Sequence, residues 1–339
     1  MEMFFQLCPA KIVAITGSNG KSTTTALTAH LLKNIKSGQV FLSGNIGNYP
    51  LLETLEQIKK DDVVVLEISS FQLEQLARIR KSPYLGCITN IAPNHLDRHK
   101  TMENYCSAKE NIFRFQKAGD IAALNAYDEK CLEWFNKYKK TDRKCVLFDR
   151  EKLAGKLTAV FKLPGRANRE NLAAAVAIAG HFGLKDADLI ESVGSFVSLP
   201  HRLELIGTVN GTRYYNDSIA TTPESTIVAV EAFNEPKILI AGGYDKGLDF
   251  DKMAEAICGK LKALILLGQT AEKIEKSVRR TGKIPPIYKA NSLAEAVNKA
   301  KEISASGDVV LLSPACASYD MFVNFVQRGK QFSELVKQL

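Results

Sequence analysis

Short runs of consecutive apolar residues alternate along most of the chain with longer segments whose apolar positions recur every three or four residues. The runs at 11–16, 40–42, 63–68, 85–89, 121–124 and 145–148 have the length and β-branched content of strands, whereas 22–33, 71–80 and 102–116 carry the helical period. Strands that are apolar throughout, rather than at every second position, predict a parallel sheet covered by helices on both faces. Segment 171–182 reads as an Ala-rich helix able to pack closely. The pattern breaks near Leu199-Pro200-His201. Beyond it, runs at 203–209 and 212–216 flank Asn210-Gly211, a dipeptide that suits a two-residue hairpin because both turn positions take positive φ. Strand–helix alternation then resumes, with strands at 238–241, 264–267 and 309–312. These elements predict an α/β chain with a larger domain to about residue 198 and a smaller one after it.

The 339 residues are 45% hydrophobic and 24% charged, which supplies apolar material for two cores and excludes a disordered polyelectrolyte. No apolar run approaches the ~18–20 residues of a membrane span, so no membrane partner is expected. Lys and Arg number 45 against 37 Asp and Glu, and the net +8 is spread over most segments. A nucleic-acid binder would cluster that charge and interleave aromatics, so no nucleic-acid partner is expected either. The excess suits anionic small substrates, and solubility explains it equally well. Seven cysteines form no Cys-x-x-Cys pair, and the N-terminus carries no basic stretch followed by a cleavage site. Both features point to reduced cytoplasm.

The sharpest chemical signal is Gly17-Ser18-Asn19-Gly20-Lys21-Ser22-Thr23, which follows a strand and opens a helix. Backbone N–H groups of such a turn, with the helix N-terminus, cradle phosphate oxygens. Lys21 can reach the β- and γ-phosphates, and the hydroxyl of Ser22 or Thr23 can ligate Mg²⁺. Only the tighter half of the usual pattern is present, since Ile15 stands where its first Gly would be. Glu67 closes an apolar strand run, where a carboxylate would lie beside the phosphate turn and pair naturally with Mg²⁺. The stretch from Thr89 to His99 follows another strand and offers His95 and His99 for a metal or a substrate oxygen, or simply for solvent. Lys109 reads locally as a solvated helix lysine. Asn168 and Asn171 can meet a nucleotide or cap a helix.

In the second half, Asn216-Asp217-Ser218, Gly242–Gly247 and Ser313–Ser318 each follow a strand, so they should converge on one rim. Asp217, Lys246 and Ser318 can bind an amino acid or nucleotide there, or form surface turns. Cys316 has no histidine near it in sequence and is not read as a nucleophile.

Taken together, these residues resemble the Mur ligases of peptidoglycan synthesis, over nearly the whole chain from about Pro9. The general signals are Gly17–Thr23, His95, Lys109, Gly165-Arg166 and Asn216-Asp217-Ser218. Those of the D-glutamate-adding branch are Gly44-Asn45-Ile46-Gly47, Leu66-Glu67-Ile68-Ser69-Ser70-Phe71-Gln72-Leu73 and the tail 312–327. The resemblance implies a P-loop-type central parallel sheet flanked by helices over 11–198, and a smaller Rossmann-like α/β amino-acid-binding domain over 199–339. It also implies an ATP-dependent amide ligase that phosphorylates the carboxylate of UDP-N-acetylmuramoyl-L-alanine and lets D-glutamate attack the acyl phosphate. Lys21, His95 and Lys109 would be catalytic. Gly17, Ser18, Asn19, Gly20, Lys21, Ser22, Thr23, Asn168, Asn171, Arg202 and Asp217 would bind ATP. Asn45, Ser69, Ser70, Thr221, Lys246, Ser318, Tyr319 and Phe325 would bind the other substrates. Ser22, Thr23, Glu67, His95 and a carbamylated Lys109 would serve two Mg²⁺ sites. A cytoplasmic monomer is implied.

Four positions depart from the family pattern: Asn94 where an acid is expected, Ala167 for a common His, Ile219 for a common Lys and Tyr319 for a common Leu. The family's leading uridine-nucleotide-binding domain is also missing, so residues 1–10 are read as the linker that follows it. On that reading ATP binding is retained and affinity for the nucleotide-sugar is weakened. Two alternatives stand beside it: a nucleotide-binding fragment without full activity, and a ligase like folylpolyglutamate synthase.

Overall fold

The computed structural model describes residues 1–46 and 51–339; Gly47, the last member of the Gly44–Gly47 signal, lies outside them. The chain forms two compact units, one of residues 1–162 and 167–196 and the other of 163–166 and 197–339.

In the first unit, β1 (Lys11–Thr16), β2 (Val40–Gly44), β3 (Val63–Glu67), β4 (Leu85–Ile88), β5 (Ile121–Asn125) and β6 (Lys144–Phe148) form one sheet in the order β2-β3-β1-β4-β5-β6. Every neighbouring pair is parallel. Alternate residues Ile12, Ala14, Val64, Leu66, Ala122 and Leu124 enter one core cluster. Their sequence neighbours Val13, Ile15, Val63, Val65, Ile121 and Ala123 are buried as well. Two covered faces are the physical reason these strands read as continuous apolar runs.

The helices that matter for the site are α1 (Glu2–Leu7), α2 (Lys21–Leu32), α3 (Ser70–Arg78), α4 (Leu96–His99) and α5 (Met102–Arg114). Within the region read as a linker, α1 buries Phe4 and Phe5 in the cluster that also holds Ile58, Leu73 and Leu76. Helix α3 begins with a capping box, in which Ser69 Oγ accepts from Gln72 N and Gln72 Oε1 accepts from Ser69 N. Such an arrangement satisfies two otherwise orphaned backbone donors. The Ala-rich helix runs Arg166–His181, starting five residues earlier than its apolar pattern suggests.

In the second unit, β7 (Glu204–Val209), β8 (Thr212–Asn216), β9 (Lys237–Ala241), β10 (Leu261–Leu266), β11 (Ile287–Lys289) and β12 (Val309–Leu312) make a sheet ordered β11-β10-β9-β12-β8-β7. Only β7 runs antiparallel, against β8 through the Asn210-Gly211 turn, whose φ values are 49° and 78°. Leu239, Leu264 and Leu311 face one core cluster while Ile238, Ile240, Ile265 and Val310 face the other.

Candidate active site

The strand order of the first sheet brings the sequence-predicted residues together. The chain leaves β1 toward β2 on one side and returns through β3 to β4 on the other, so β1 lies at a topological switch point, and ligands of open α/β sheets bind in the crevice at the carboxyl end there. From those ends emerge the turn 17–20 after β1, Glu67 at the end of β3, and Thr89–His95 after β4. Asn45 follows β2 on the same edge, its N–H donating to Glu67 O at 3.0 Å.

Two glycines shape the turn. Gly17 takes φ 150°, and a Cβ there would stand 1.9 Å from Thr89 Oγ1; Gly20 takes φ 81°, and its Cβ would stand 2.4 Å from Asn171 Oδ1. Only glycine fits either place. The turn is held by its neighbours: Ser18 N donates to Asn90 O at 2.9 Å, Asn19 N to Asn90 Oδ1 at 2.9 Å, and Thr89 Oγ1 to Asn19 O at 2.6 Å. Lys21 Nζ donates to Ser18 O at 2.9 Å, folded over the turn. At the start of α2, Ser22 is half-buried and Thr23 buried.

Lys109 is not the solvated lysine of the local reading. It lies on α5, 2% exposed, with Nζ donating to Gly17 O at 2.9 Å and Thr16 Oγ1 at 3.2 Å. The Tyr105 ring lies 4.8 Å from the same Nζ, one turn back on α5. Burial, then the nearby Lys21 charge, pull the Lys109 ammonium down to about 7. Glu67 is also buried, and its Oε2 has no hydrogen-bond partner. A buried carboxylate oxygen without a partner, beside a phosphate-type turn, is the donor a divalent cation would complete. Among the described residues no three His, Cys, Asp or Glu side chains converge to form a complete metal cage. That donor set suits Mg²⁺, which takes one or two carboxylates and completes its shell with phosphates and water.

His95 is exposed with φ 53°, and partial desolvation, then the Lys21 charge, hold its imidazole below the ordinary value. Asn168 and Asn171 fall inside the helix that starts at Arg166, so neither is its cap. Asn171 Oδ1 accepts from Thr24 Oγ1 at 3.0 Å and its Nδ2 donates to Asn168 Oδ1 at 3.2 Å, beneath Gly20. Asn94 is half-buried in the loop before His95, and Ala167 is exposed. Ser69 caps α3, and Ser70 Oγ bonds His99 Nε2 at 2.9 Å. Both serines therefore have structural partners already.

The second unit gathers its own group. Asp217 is buried, accepting from Leu203 N at 3.2 Å and from Ser313 Oγ at 2.8 Å. Burial pushes its carboxyl up to about 7, against the opposing pull of Ser313 and the nearby Arg202 charge. Arg202 Nε is itself buried without a partner. Lys246 is exposed, its Nζ 5.6 Å from the Tyr319 ring, and Tyr319 meets Tyr244 edge-on at 5.9 Å. Ser318 is buried, Phe325 opens the helix Phe325–Lys337, and Thr221 and Ile219 are half-buried in the loop after β8.

Two residues, Arg328 and Tyr105, escape the sequence reading. Arg328 is 2% exposed and donates to Ser218 Oγ, Ser218 O, Ala317 O and Cys316 O at 2.8–3.3 Å, which ties two of the strand-end loops together. It follows the quoted tail by one position and reads as an ordinary helix charge. Tyr105 lies four residues before Lys109, the spacing that puts both on one helix face. His99 was paired with His95 as an alternative, and the structure buries it. Cys316 is buried, its thiol pushed up to about 11, which leaves it inert.

Residues 15–160 match the Mur ligase middle domain, and 201–316 match the Mur ligase glutamate ligase domain. A UDP-N-acetylmuramoylalanine–D-glutamate ligase of Acetivibrio thermocellus is 45% identical, and one of Clostridium kluyveri 44%, each alignment covering 100% of this chain and 77% of the relative. Among solved structures, MurF ligase from Thermotoga maritima in complex with ADP has a TM-score of 0.71 at 18% identity, covering 100% of this chain and 83% of that one. The MurC ligase of the same organism gives 0.66 at 23%, covering 97% and 76%. At such identities these two likenesses speak to the fold alone.

Proposed function

Because the chain belongs to the Mur ligase family, we propose that it joins D-glutamate to UDP-N-acetylmuramoyl-L-alanine at the expense of ATP, in the synthesis of peptidoglycan precursors. A free carboxylate is a poor electrophile, and its oxygen a poor leaving group. Transfer of the γ-phosphoryl group to that carboxylate makes an acyl phosphate; the D-glutamate amine then attacks the carbonyl, loses a proton, and expels phosphate as the amide forms. The names of the relatives favour this reading over a folate-directed ligase and over a fragment that only binds nucleotide.

The observation that carries the assignment is the packing of Lys109 against the phosphate turn, with Glu67, whose buried Oε2 has no hydrogen-bond partner, nearby. In our reading the turn 17–20 shapes the cradle, and the uncapped N–H groups at the start of α2, with the Lys21 side chain, hold the β- and γ-phosphates, where charge develops during transfer. Ser22, Thr23 and Glu67 are the groups that would hold one Mg²⁺, and His95 with Lys109 a second. The metal supplies charge neutralisation between phosphate oxygens when bound. Held down to about 7, the Lys109 amine is neutral often enough for its nitrogen to add to the carbon of CO₂ and lose a proton to solvent, giving a carbamate that replaces a cation with an anionic oxygen donor. Asn168, Asn171, Arg202 and Asp217 are assigned to ATP, Asn45, Ser69 and Ser70 to the muramoyl substrate, and Thr221, Lys246, Ser318, Tyr319 and Phe325 to D-glutamate. Residues 11–198 and 199–339 are taken as the ATP-binding and amino-acid-binding domains, in a cytoplasmic monomer.

Phosphate release by the 339-residue chain, with ATP and UDP-N-acetylmuramoyl-L-alanine screened across amino acids, tests the proposal. Stimulation by D-glutamate above all others is expected. Stimulation by L-glutamate with a folate acceptor, or nucleotide binding with no turnover at saturating substrates, would overturn it.

A further inference from the structure

Ser70, His99 and Tyr105 are buried together beside the phosphate turn, with the exposed Glu74 at the rim; of these only Ser70 enters the reading above, as a group assigned to the muramoyl substrate. His99 is 5% exposed. Its Nδ1 stands 3.6 Å from Glu74 Oε1, which favours a proton on that nitrogen and leaves Nε2 to accept from Ser70 Oγ at 2.9 Å. The imidazole lies parallel to Phe71, centroids 5.2 Å apart, and against Tyr105 at 5.3 Å. Phe71 in turn meets His95 edge-on at 5.4 Å. Ser18 Oγ donates to Ala92 O at 2.8 Å, so the 2.9 Å contact between it and Tyr105 is the phenol donating.

These contacts tie three site loops to one ring: the start of α3, the single turn α4 below His95, and the phosphate turn through Tyr105. The tie is needed, because His95 and Lys100, at either end of α4, hold φ of 53° and 69°. Non-glycine residues persist in that region only where their surroundings over-determine them. Serine, histidine and carboxylate in a row do not make a nucleophile here: Ser70 is 2% exposed, and its Oγ is already bonded to His99. We infer that His99 is a positioning residue that sets His95 and the phosphate turn in one frame; the inference rests on the ligase reading above for its effect on turnover.

Three variants of the full chain test it: His99→Phe keeps a ring and loses the acceptor, His99→Gln restores a hydrogen-bonding group near Ser70, and Ser70→Ala removes the partner. We expect His99→Phe to lower kcat about tenfold while the KM for ATP changes less than about twofold, with His99→Gln regaining part of the loss. Ser70→Ala should cost a similar factor, and the double variant no more than either single one. Amide hydrogen exchange should quicken at 18–19, 91–92 and 95–98 in His99→Phe but not in β1 or β3. Unchanged kcat, or exchange quickened evenly through the sheet, would overturn the inference. Exchange needs no substrate, so the local pattern in a chain that fails to ligate would sink the ligase reading alone.

Discussion

Lys109 shows how a residue's chemistry is set by what surrounds its last atom. An ammonium with a carbonyl and a hydroxyl as its hydrogen-bond acceptors, an aromatic face and a second lysine nearby has lost much of its hydration. Arginine cannot take its place, because a guanidinium stays protonated and cannot add CO₂. Lys109→Arg should therefore lower ligase kcat by at least about 100-fold, the scale of losing one charge-stabilising group in an active site. Phosphate-release kinetics measure it, and near wild-type turnover would show that no neutral amine is needed at this place. The local sequence misleads here: a lysine in mid-helix reads as solvated, and only the fold aims it at the phosphate turn. The family resemblance singled it out where periodicity could not. Arg328 escaped both, because nothing in the spacing of the last helix separates a buried guanidinium from a surface one.

The unit formed by β1, the turn and α2 was legible because each of its parts obeys a local rule: an apolar strand, glycines at the two crowded positions, and hydroxyls in the first helical turn. Helix starts were less legible. The Ala-rich helix begins at Arg166, ahead of its apolar stripe, since its first turn carries polar residues whose partners are distant in sequence. Asn171, in the second turn, is fitted beneath Gly20. From this close approach we expect Gly20→Ala to cost nucleotide affinity by at least about tenfold, through both the left-handed backbone and the clash. Adding Asn171→Ala would relieve the clash but leave the backbone strained and remove a group assigned to ATP, so recovery should be partial. Calorimetric titration with a nonhydrolysable ATP analogue checks both. Full recovery would mean the backbone conformation costs nothing.

At the scale of the whole chain, alternation of strands and helices was enough to separate two α/β units, while strand order, and with it the meeting of residues 17–23, 67, 95 and 109, depends on pairings far apart in sequence. Each unit has its own core, and each buries one group displaced to about 7, with opposite consequences. Asp217 in the second unit has its carboxyl raised to about 7. Between about pH 4, where the unfolded acid ionises, and pH 7 the folded state binds more protons, so stability falls as pH rises. Lys109 in the first unit has its amine lowered to about 7. From about pH 7 to 10 the unfolded state binds more protons, so stability rises with pH. Scanning calorimetry of the ligand-free chain should then give two transitions, as separate cores allow. One should move down between pH 4 and 7, and the other up between pH 7 and 10. Asp217→Asn removes the ionisation, and should flatten the first shift while leaving the second. A single transition, or the same pH slope in wild type and Asp217→Asn, would show that these two groups do not govern the acid and alkaline limbs.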